Sequence, residues 1–118
     1  SSFFDLDKKT PEQVFHVFMM GLLVGFRHKY EITSNKEAGD GRYDIFMKPL
    51  KFNQKAILIE FKISPNKASL QETADMALKQ ISDKQYTSGY AGEVLCIGVA
   101  FWKKDIAHAH SLNKIDVQ

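Results

Sequence analysis

The segment "KAILIEFKIS", residues 55 to 64, constrains the fold more than any other part of the sequence. Its apolar and largely β-branched residues are typical of a buried β-strand. Two charged residues, Glu60 and Lys62, interrupt this pattern near its end. Because side chains alternate across a strand, both project from one face. Burying a charge without a partner is costly, so these two side chains must meet partners or open water.

Length and composition predict one folded domain. The 118 residues are 44% hydrophobic, enough for one core, so we expect a single domain over residues 1–118. The net charge of +2 does not by itself indicate a nucleic-acid partner, and any basic surface must come from clustering. The chain begins "SSFF" without a methionine, so we expect a fragment of a longer protein.

The single cysteine and the short apolar segments exclude several protein classes. Cys96 has no second cysteine to pair with, so an intramolecular disulfide and a Cys-rich zinc site are both excluded. We expect Cys96 to be a core residue and the protein to be cytoplasmic, with no membrane partner. The run "VFMMGLLVGF" is about ten residues long, too short to cross a bilayer.

Periodicity and turn signals divide the chain into six elements. A capping box at Thr10 and Gln13 begins a helix from about Pro11 to Gly25, apolar over most of its circumference and therefore expected to be buried. Two strands, 30–37 and 42–50, flank the turn "AGDG" and form an antiparallel pair. The charged strand follows, and then an amphipathic helix from Lys67 to about Gln85. The run "EVLCIGVAFW" is a fourth strand, and residues 103–118 are predicted to be a partly ordered tail.

This order of elements predicts the fold class. The succession helix, strand, strand, strand, helix, strand favours an α/β domain with one mixed sheet of about four strands flanked by helices. The strand–helix–strand unit at its end favours parallel neighbours.

Asp44 offers a second carboxylate close to Glu60. It lies on the strand that precedes the charged strand, amid Ile45 and Phe46. Two adjacent carboxylates repel unless a cation lies between them, and either Lys62 or a divalent metal ion can fill that role. The alternative is a solvated face of an edge strand, but the apolar neighbours of Glu60 on both faces do not suit an exposed strand.

The residues from "GRYD" to "IEFK" resemble the D-x(n)-E-x-K signature of the PD-(D/E)XK nuclease superfamily. The segments "FHVFMMGLL", "SNKEAGDGRYDI", "AILIEFKIS" and "ETADMALKQISDKQY" further resemble the small nuclease-like domain found C-terminal to bacterial AAA-ATPase-like domains. The resemblance spans about residues 14 to 86. It implies a restriction-endonuclease-like core.

Carried over to this chain, the resemblance implies a metal site and a catalytic lysine. Asp44, Glu60 and the backbone carbonyl of Phe61 would bind Mg²⁺ or Mn²⁺, hard ions that prefer oxygen ligands. Lys62 would orient or deprotonate the attacking water and stabilise charge on phosphorus. Gln80, on the long helix, would be a further catalytic residue.

Four more residues have open roles. Glu37 matches an acidic position of the family and is either a further metal ligand or a surface residue beside the turn. Arg42 either holds a phosphate or pairs with Asp40 or Glu37. Lys84 lies one turn after Gln80 and is a candidate nucleic-acid contact. Tyr86 is another, although it follows Gln80 by six residues where related nucleases commonly have four.

The sequence therefore predicts a metal-dependent nuclease that acts on nucleic acid, DNA more than RNA. The alternative is a non-catalytic module that binds nucleic acid or protein within a larger ATPase-linked protein. A homodimer or a partner domain in the parent chain is also expected. Pairing between chains through the first helix is a third reading, if Phe15, Met19 or Phe26 is exposed.

Overall fold

The computed structural model of the chain describes residues 9–37, 42–82 and 90–115. The chain forms two helices and five strands, in the order α1 (Pro11–Phe26), β1 (Tyr30–Glu37), β2 (Arg42–Pro49), β3 (Ala56–Ile63), α2 (Leu70–Ser82), β4 (Gly92–Trp102) and β5 (Asp105–Ile115). The predicted turn "AGDG" and the predicted continuation of the second helix to about Gln85 lie outside the described residues.

The strands form one mixed sheet with the order β1-β2-β3-β4-β5. β1, β2 and β3 pair antiparallel, β3 and β4 pair parallel, and β4 and β5 pair antiparallel. The predicted antiparallel pair and the parallel strand–helix–strand unit are both confirmed. The helix α2 supplies the long connection that parallel neighbours require.

The fifth strand corrects the predicted tail. Residues 105–115 pair with β4 along its whole length, so the prediction of a partly ordered tail over 103–118 is wrong for them. His108 and His110 are exposed on one face, whereas Ala107 and Ala109 are half-buried on the other. Because the inward positions carry small alanines and not β-branched residues, the alternation resembles a polar tail in the sequence.

The two faces of the sheet carry separate apolar clusters. On one face, α1 packs Phe15 against Tyr43, with ring centroids 3.7 Å apart, and against Phe61 at 5.4 Å. On the other face, Ile81 of α2 packs with Ala56, Leu58, Val94 and Cys96. We call these the α1 side and the α2 side of the sheet.

Cys96 is a core residue, as predicted. It is buried on the α2 side, and Asn113 Nδ2 donates a hydrogen bond to its Sγ at 3.3 Å. Burial raises the pKa of the Cys96 thiol, and the hydrogen bond from Asn113 has a smaller, opposite effect.

The first helix is less buried than its sequence predicts. The predicted capping box is present: Gln13 N donates to Thr10 Oγ1 and Thr10 N donates to Gln13 Oε1. Only Val14 and Phe15 of α1 are buried, however, and four large apolar residues are exposed: Met20, Leu23, Val24 and Phe26. The expectation of burial around most of the helix was wrong, because a single sheet covers only one side of it. Neither described helix combines the length and hydropathy that spanning a membrane requires.

Gly98 sets how closely α2 approaches the sheet. A Cβ atom at this position would lie closer than 3.0 Å to the backbone of Ala74 and of Leu78. The helix therefore rests on β4 at a site that accepts only glycine. It lies over β3, β4 and β5, whereas Thr33 and Asn35 of β1 and Lys48 of β2 are exposed on the same side. The α2 side thus has a covered part and an open part, and they meet along β2 and β3.

Candidate active site

Four charged residues form a compact array on the α2 side of β2 and β3. Arg42 lies opposite Lys62, and Asp44 lies opposite Glu60, in the antiparallel register of these strands. Directly opposed residues project to the same face, with Cβ atoms about 4.5–5.5 Å apart. The structure therefore brings together Asp44, Glu60 and Lys62, and adds Arg42 as their neighbour.

Both carboxylates of the array are buried. Glu60 is 0% exposed and Asp44 is 4% exposed, whereas Arg42 and Lys62 are partly exposed. The cause for Glu60 is its position opposite Gly98, where α2 closes over the sheet. A buried carboxylate requires compensating positive charge, and Arg42 Nη2 lies 3.6 Å from Glu60 Oε1. The array thus combines two buried carboxylates with two partly exposed cations.

Buried polar side-chain atoms that lack a hydrogen bond occur at or beside this array. In residues 9–37, 42–82 and 90–115, four buried side-chain atoms make no hydrogen bond: Arg42 Nε, Asp44 Oδ1, Glu60 Oε2 and Gln80 Oε1. All four belong to residues that the sequence had singled out. Arg42, Asp44 and Glu60 also make other polar or electrostatic interactions. Buried polar atoms of this kind require an explanation, and a site for a ligand is one.

The helix α2 places Gln80 at the level of the array. Ala74 and Leu78 meet Gly98, the register partner of Glu60, and Ile81 packs with Leu58. Along the direction of β3, Gln80 therefore lies between Glu60 and Leu58.

Two hydrogen bonds show which side of α2 carries Gln80. Gln71 Nε2 donates to the carbonyl of His108 in β5, whereas Thr73 Oγ1 donates to Ser64 Oγ after β3. Gln80 follows Thr73 by seven residues, two helical turns, so it shares the side of Thr73 and points away from β5.

The other predicted site residues have mixed outcomes. Phe61 buries its side chain in the α1-side cluster, so any contribution to the site comes from its backbone carbonyl. Glu37 lies opposite Arg42 in the register of β1 and β2, but its side chain is outside the described part of the chain. Lys84 and Tyr86, the predicted nucleic-acid contacts, also lie outside the described residues.

Sequence reasoning missed two features of the site. For Arg42 it considered Asp40 and Glu37 as partners, whereas the structure shows an ion pair with Glu60. It also missed Asn35, which is exposed and lies opposite Asp44 on β1. Counting outward from the predicted turn 38–41 pairs 35 with 44, so the position of Asn35 could have been found from the sequence, whereas the diagonal of 42 and 60 depends on the register of β2 against β3.

The donor set suits a hard divalent ion. The two carboxylates and the backbone carbonyl of Phe61 are oxygen ligands of the kind that Mg²⁺ and Mn²⁺ prefer, and no imidazole or thiolate suited to zinc belongs to the array. Within the described part of the chain, no three His, Cys, Asp or Glu side chains lie together in a way that could hold a metal ion. Two carboxylates are sufficient for Mg²⁺, which usually keeps several waters.

A comparison with models of protein families decides the relationship. Residues 10–111 match the model of the PD-(D/E)XK nuclease superfamily. The chain belongs to this superfamily. Its mixed five-stranded sheet with two helices is consistent with the restriction-endonuclease-like fold of PD-(D/E)XK proteins. A comparison with curated proteins gives no match.

Proposed function

We propose that this PD-(D/E)XK domain is a metal-dependent nuclease that hydrolyses phosphodiester bonds, in DNA more than in RNA. The observation that carries the proposal is the register pair Asp44–Glu60, two buried carboxylates facing each other beside the partly exposed Lys62. Membership of the nuclease superfamily supports the same reaction class.

Each residue of the array has a distinct role in this proposal. Asp44 Oδ1, Glu60 Oε2 and the carbonyl of Phe61 hold one Mg²⁺ or Mn²⁺ ion, with Glu37 as a candidate fourth ligand. When bound, the ion supplies charge neutralisation at the scissile phosphate and activation of water. Lys62 donates to the attacking water and balances the charge that develops on phosphorus.

Two further residues position the reactants. Gln80 Oε1, buried and without a hydrogen bond, accepts a hydrogen bond from the attacking water. Arg42 holds Glu60 in place through its ion pair and presents its remaining donors towards a phosphate. Lys84 and Tyr86 are proposed as additional nucleic-acid contacts on the segment after α2.

We also propose that the domain works in the cytoplasm as the C-terminal unit of a longer AAA-ATPase-linked protein. Four exposed apolar side chains on α1, those of Met20, Leu23, Val24 and Phe26, suit contact with a partner domain or a second copy of the chain. This contact lies on the α1 side of the sheet and leaves the array on the α2 side accessible.

A cleavage assay with matched lysine variants tests the proposal. The chain is incubated with labelled single-stranded DNA, duplex DNA and RNA, with Mg²⁺, with Mn²⁺ or with chelator. We expect cleavage that requires the metal ion and falls about 10²–10³-fold in Lys62→Ala, as for loss of other charge-stabilising donors. Lys104→Ala, which removes an exposed lysine outside the array, should cleave like the parent chain.

The assay also separates the rival function. Binding of nucleic acid without cleavage under every metal condition would support a non-catalytic binding module. Cleavage that persists undiminished in Lys62→Ala would remove that residue from the reaction.

A further inference from the structure

The loop that joins β2 to β3 presents one aromatic side chain almost wholly to solvent. Phe52 is 97% exposed and Leu50 is 59% exposed. Exposure of a phenyl ring to this degree gains nothing for folding, since no apolar area is removed from water. The ring is therefore placed for a contact that the described residues do not make.

The loop that carries Phe52 is held in one conformation. The hydroxyl of Tyr90 donates to the carbonyl of Gln54, and the hydroxyl of Tyr30 donates to the carbonyl of Lys55, each at 3.3 Å. Asn53 adopts a φ of 68°, in the left-handed region that asparagine tolerates better than most residues. At the other end of the loop, Leu50 N donates to the carbonyl of Lys29 at 3.0 Å. Because both ends of the loop are held in this way, the exposed ring is a preorganised feature of the fold.

The charge around the ring is of one sign within the loop. Residues 48–55 contain Lys48, Lys51 and Lys55, all exposed, and no Asp or Glu. The acidic neighbour across the β1–β2 ladder is Glu31, which lies opposite Lys48. Lysines 48 and 51 line, with Phe52 and Tyr90, a groove of about 400 Å³.

The loop lies at one end of the same strand as the candidate active site. Asp44, Phe46 and Lys48 alternate along β2 and share its α2 side. Lys48 is four residues from Asp44, about 14 Å at the usual rise of a strand. Phe46 is half-buried between them against Tyr90, with ring centroids 5.9 Å apart. A polymer held at Asp44 can therefore follow β2 to the loop.

We propose that this loop is a binding site for single-stranded nucleic acid, in which Phe52 stacks on an unpaired base and Lys48, Lys51 and Lys55 contact phosphates. Aromatic platforms within basic grooves are the standard means of binding single strands. A paired base offers no open face to Phe52, so the loop selects a single-stranded flank over duplex. The inference deepens the proposed function, because it names the substrate class of the same site.

Fluorescence anisotropy with a labelled single-stranded oligo-dT 20-mer tests the inference in chelator, where cleavage does not interfere. We expect Phe52→Ala to bind about tenfold more weakly, as for the loss of one stacked base, and Phe52→Trp to retain binding. Lys51→Gln should reduce the slope of log K against log salt by about 0.7, the value for one phosphate contact on a single strand. Ile106→Ala, at an exposed apolar position of β5, is the matched control and should bind like the parent chain.

The outcomes separate this site from the proposed reaction. Equal affinity in Phe52→Ala and the parent chain would overturn the inference. So would Phe52-dependent binding to phosphatidylserine vesicles without binding to the oligonucleotide, since the loop would then be a membrane contact. If the oligonucleotide binds in a Phe52-dependent way but the chain never cleaves it, the loop site is supported and the nuclease proposal is refuted. If Phe52→Ala cleaves and binds like the parent chain, the nuclease proposal is supported and the loop site is refuted.

Discussion

At the scale of single residues, the candidate site depends on Glu60 and on what surrounds it. The carboxylate is fully buried because its register partner is Gly98, and it is tolerated there because Arg42 brings positive charge within 3.6 Å. The burial of the Glu60 carboxylate thus depends on Gly98, and the compensation of its charge depends on Arg42, its diagonal neighbour on β2.

The residue that tests this packing is Gly98. We expect Gly98→Ala to lower the free energy of unfolding by about 1–3 kcal/mol or more, because the added methyl group meets the backbone of α2, which cannot turn aside as a side chain can. Urea denaturation followed by circular dichroism measures the difference.

The control for this measurement is Gly21→Ala. A Cβ at Gly21 in α1 meets nothing within 4 Å, so alanine should leave stability unchanged or raise it by up to about 1 kcal/mol through helix propensity. Equal stability of Gly98→Ala and the parent chain would show that α2 does not rest on β4 as described.

The sequence identified the charged residues of the site but not their connections. Glu60 and Lys62 were visible because they interrupt an apolar strand, and Asp44 because it follows a turn on the strand before. The ion pair from Arg42 to Glu60 was missed, because a diagonal contact depends on a register that propensity does not supply. Gln80 came from family resemblance, and its position relative to β3 required the structure.

At the scale of elements, the helices and the first four strands were predicted and β5 was not. The first helix has a capping box and the second a single apolar stripe, signals that are local and strong. β5 has alanines on its inner face and histidines on its outer face, so its assignment depends on β4 and α2, which are distant in sequence. The prediction that α1 is buried around most of its circumference failed for the same reason, because burial depends on how many layers of structure pack around the helix.

Truncation tests whether β5 is a structural strand. A chain that ends at Lys104 loses the ladder along β4 and the covering of Cys96 by Asn113. We expect it to lack a cooperative thermal transition, since β4 becomes an open edge and α2 loses part of its support. A chain that ends at Ile115 should melt like the parent chain.

Circular dichroism against temperature measures both truncations. A chain ending at Lys104 that melts at the parental temperature would return residues 105–115 to the status of a dispensable tail.

At the scale of the whole molecule, the two sides of the sheet differ in what they contain. The α1 side holds the larger aromatic core, in which Phe15, Tyr43 and Phe61 are in mutual contact and Phe101 packs against Phe61. The α2 side holds a smaller core under the helix and, at its margin, the buried carboxylate pair. The part of that side over β1 carries the exposed side chains of Thr33 and Asn35.

The margin between the covered and open parts explains why buried carboxylates and partly exposed cations occur together. α2 excludes water from Glu60, while Asn35 and Lys48, on the same side of the sheet as Asp44, are exposed. Charges in such a position interact more strongly than in bulk water, and the cations Arg42 and Lys62 are partly exposed. The same arrangement suits a metal ion that is held on one side by protein and on the other by substrate.

Calorimetric titration with Mn²⁺ tests the proposal that Asp44 and Glu60 together hold one divalent ion. The parent chain and the control Asp75→Asn, which alters an exposed carboxylate on α2, are expected to bind Mn²⁺ with equal affinity. Asp44→Asn and Glu60→Gln keep the shapes of the side chains and should each lose the binding. Mn²⁺ binding of equal affinity in all four proteins would contradict the claim and remove the metal site from this pair.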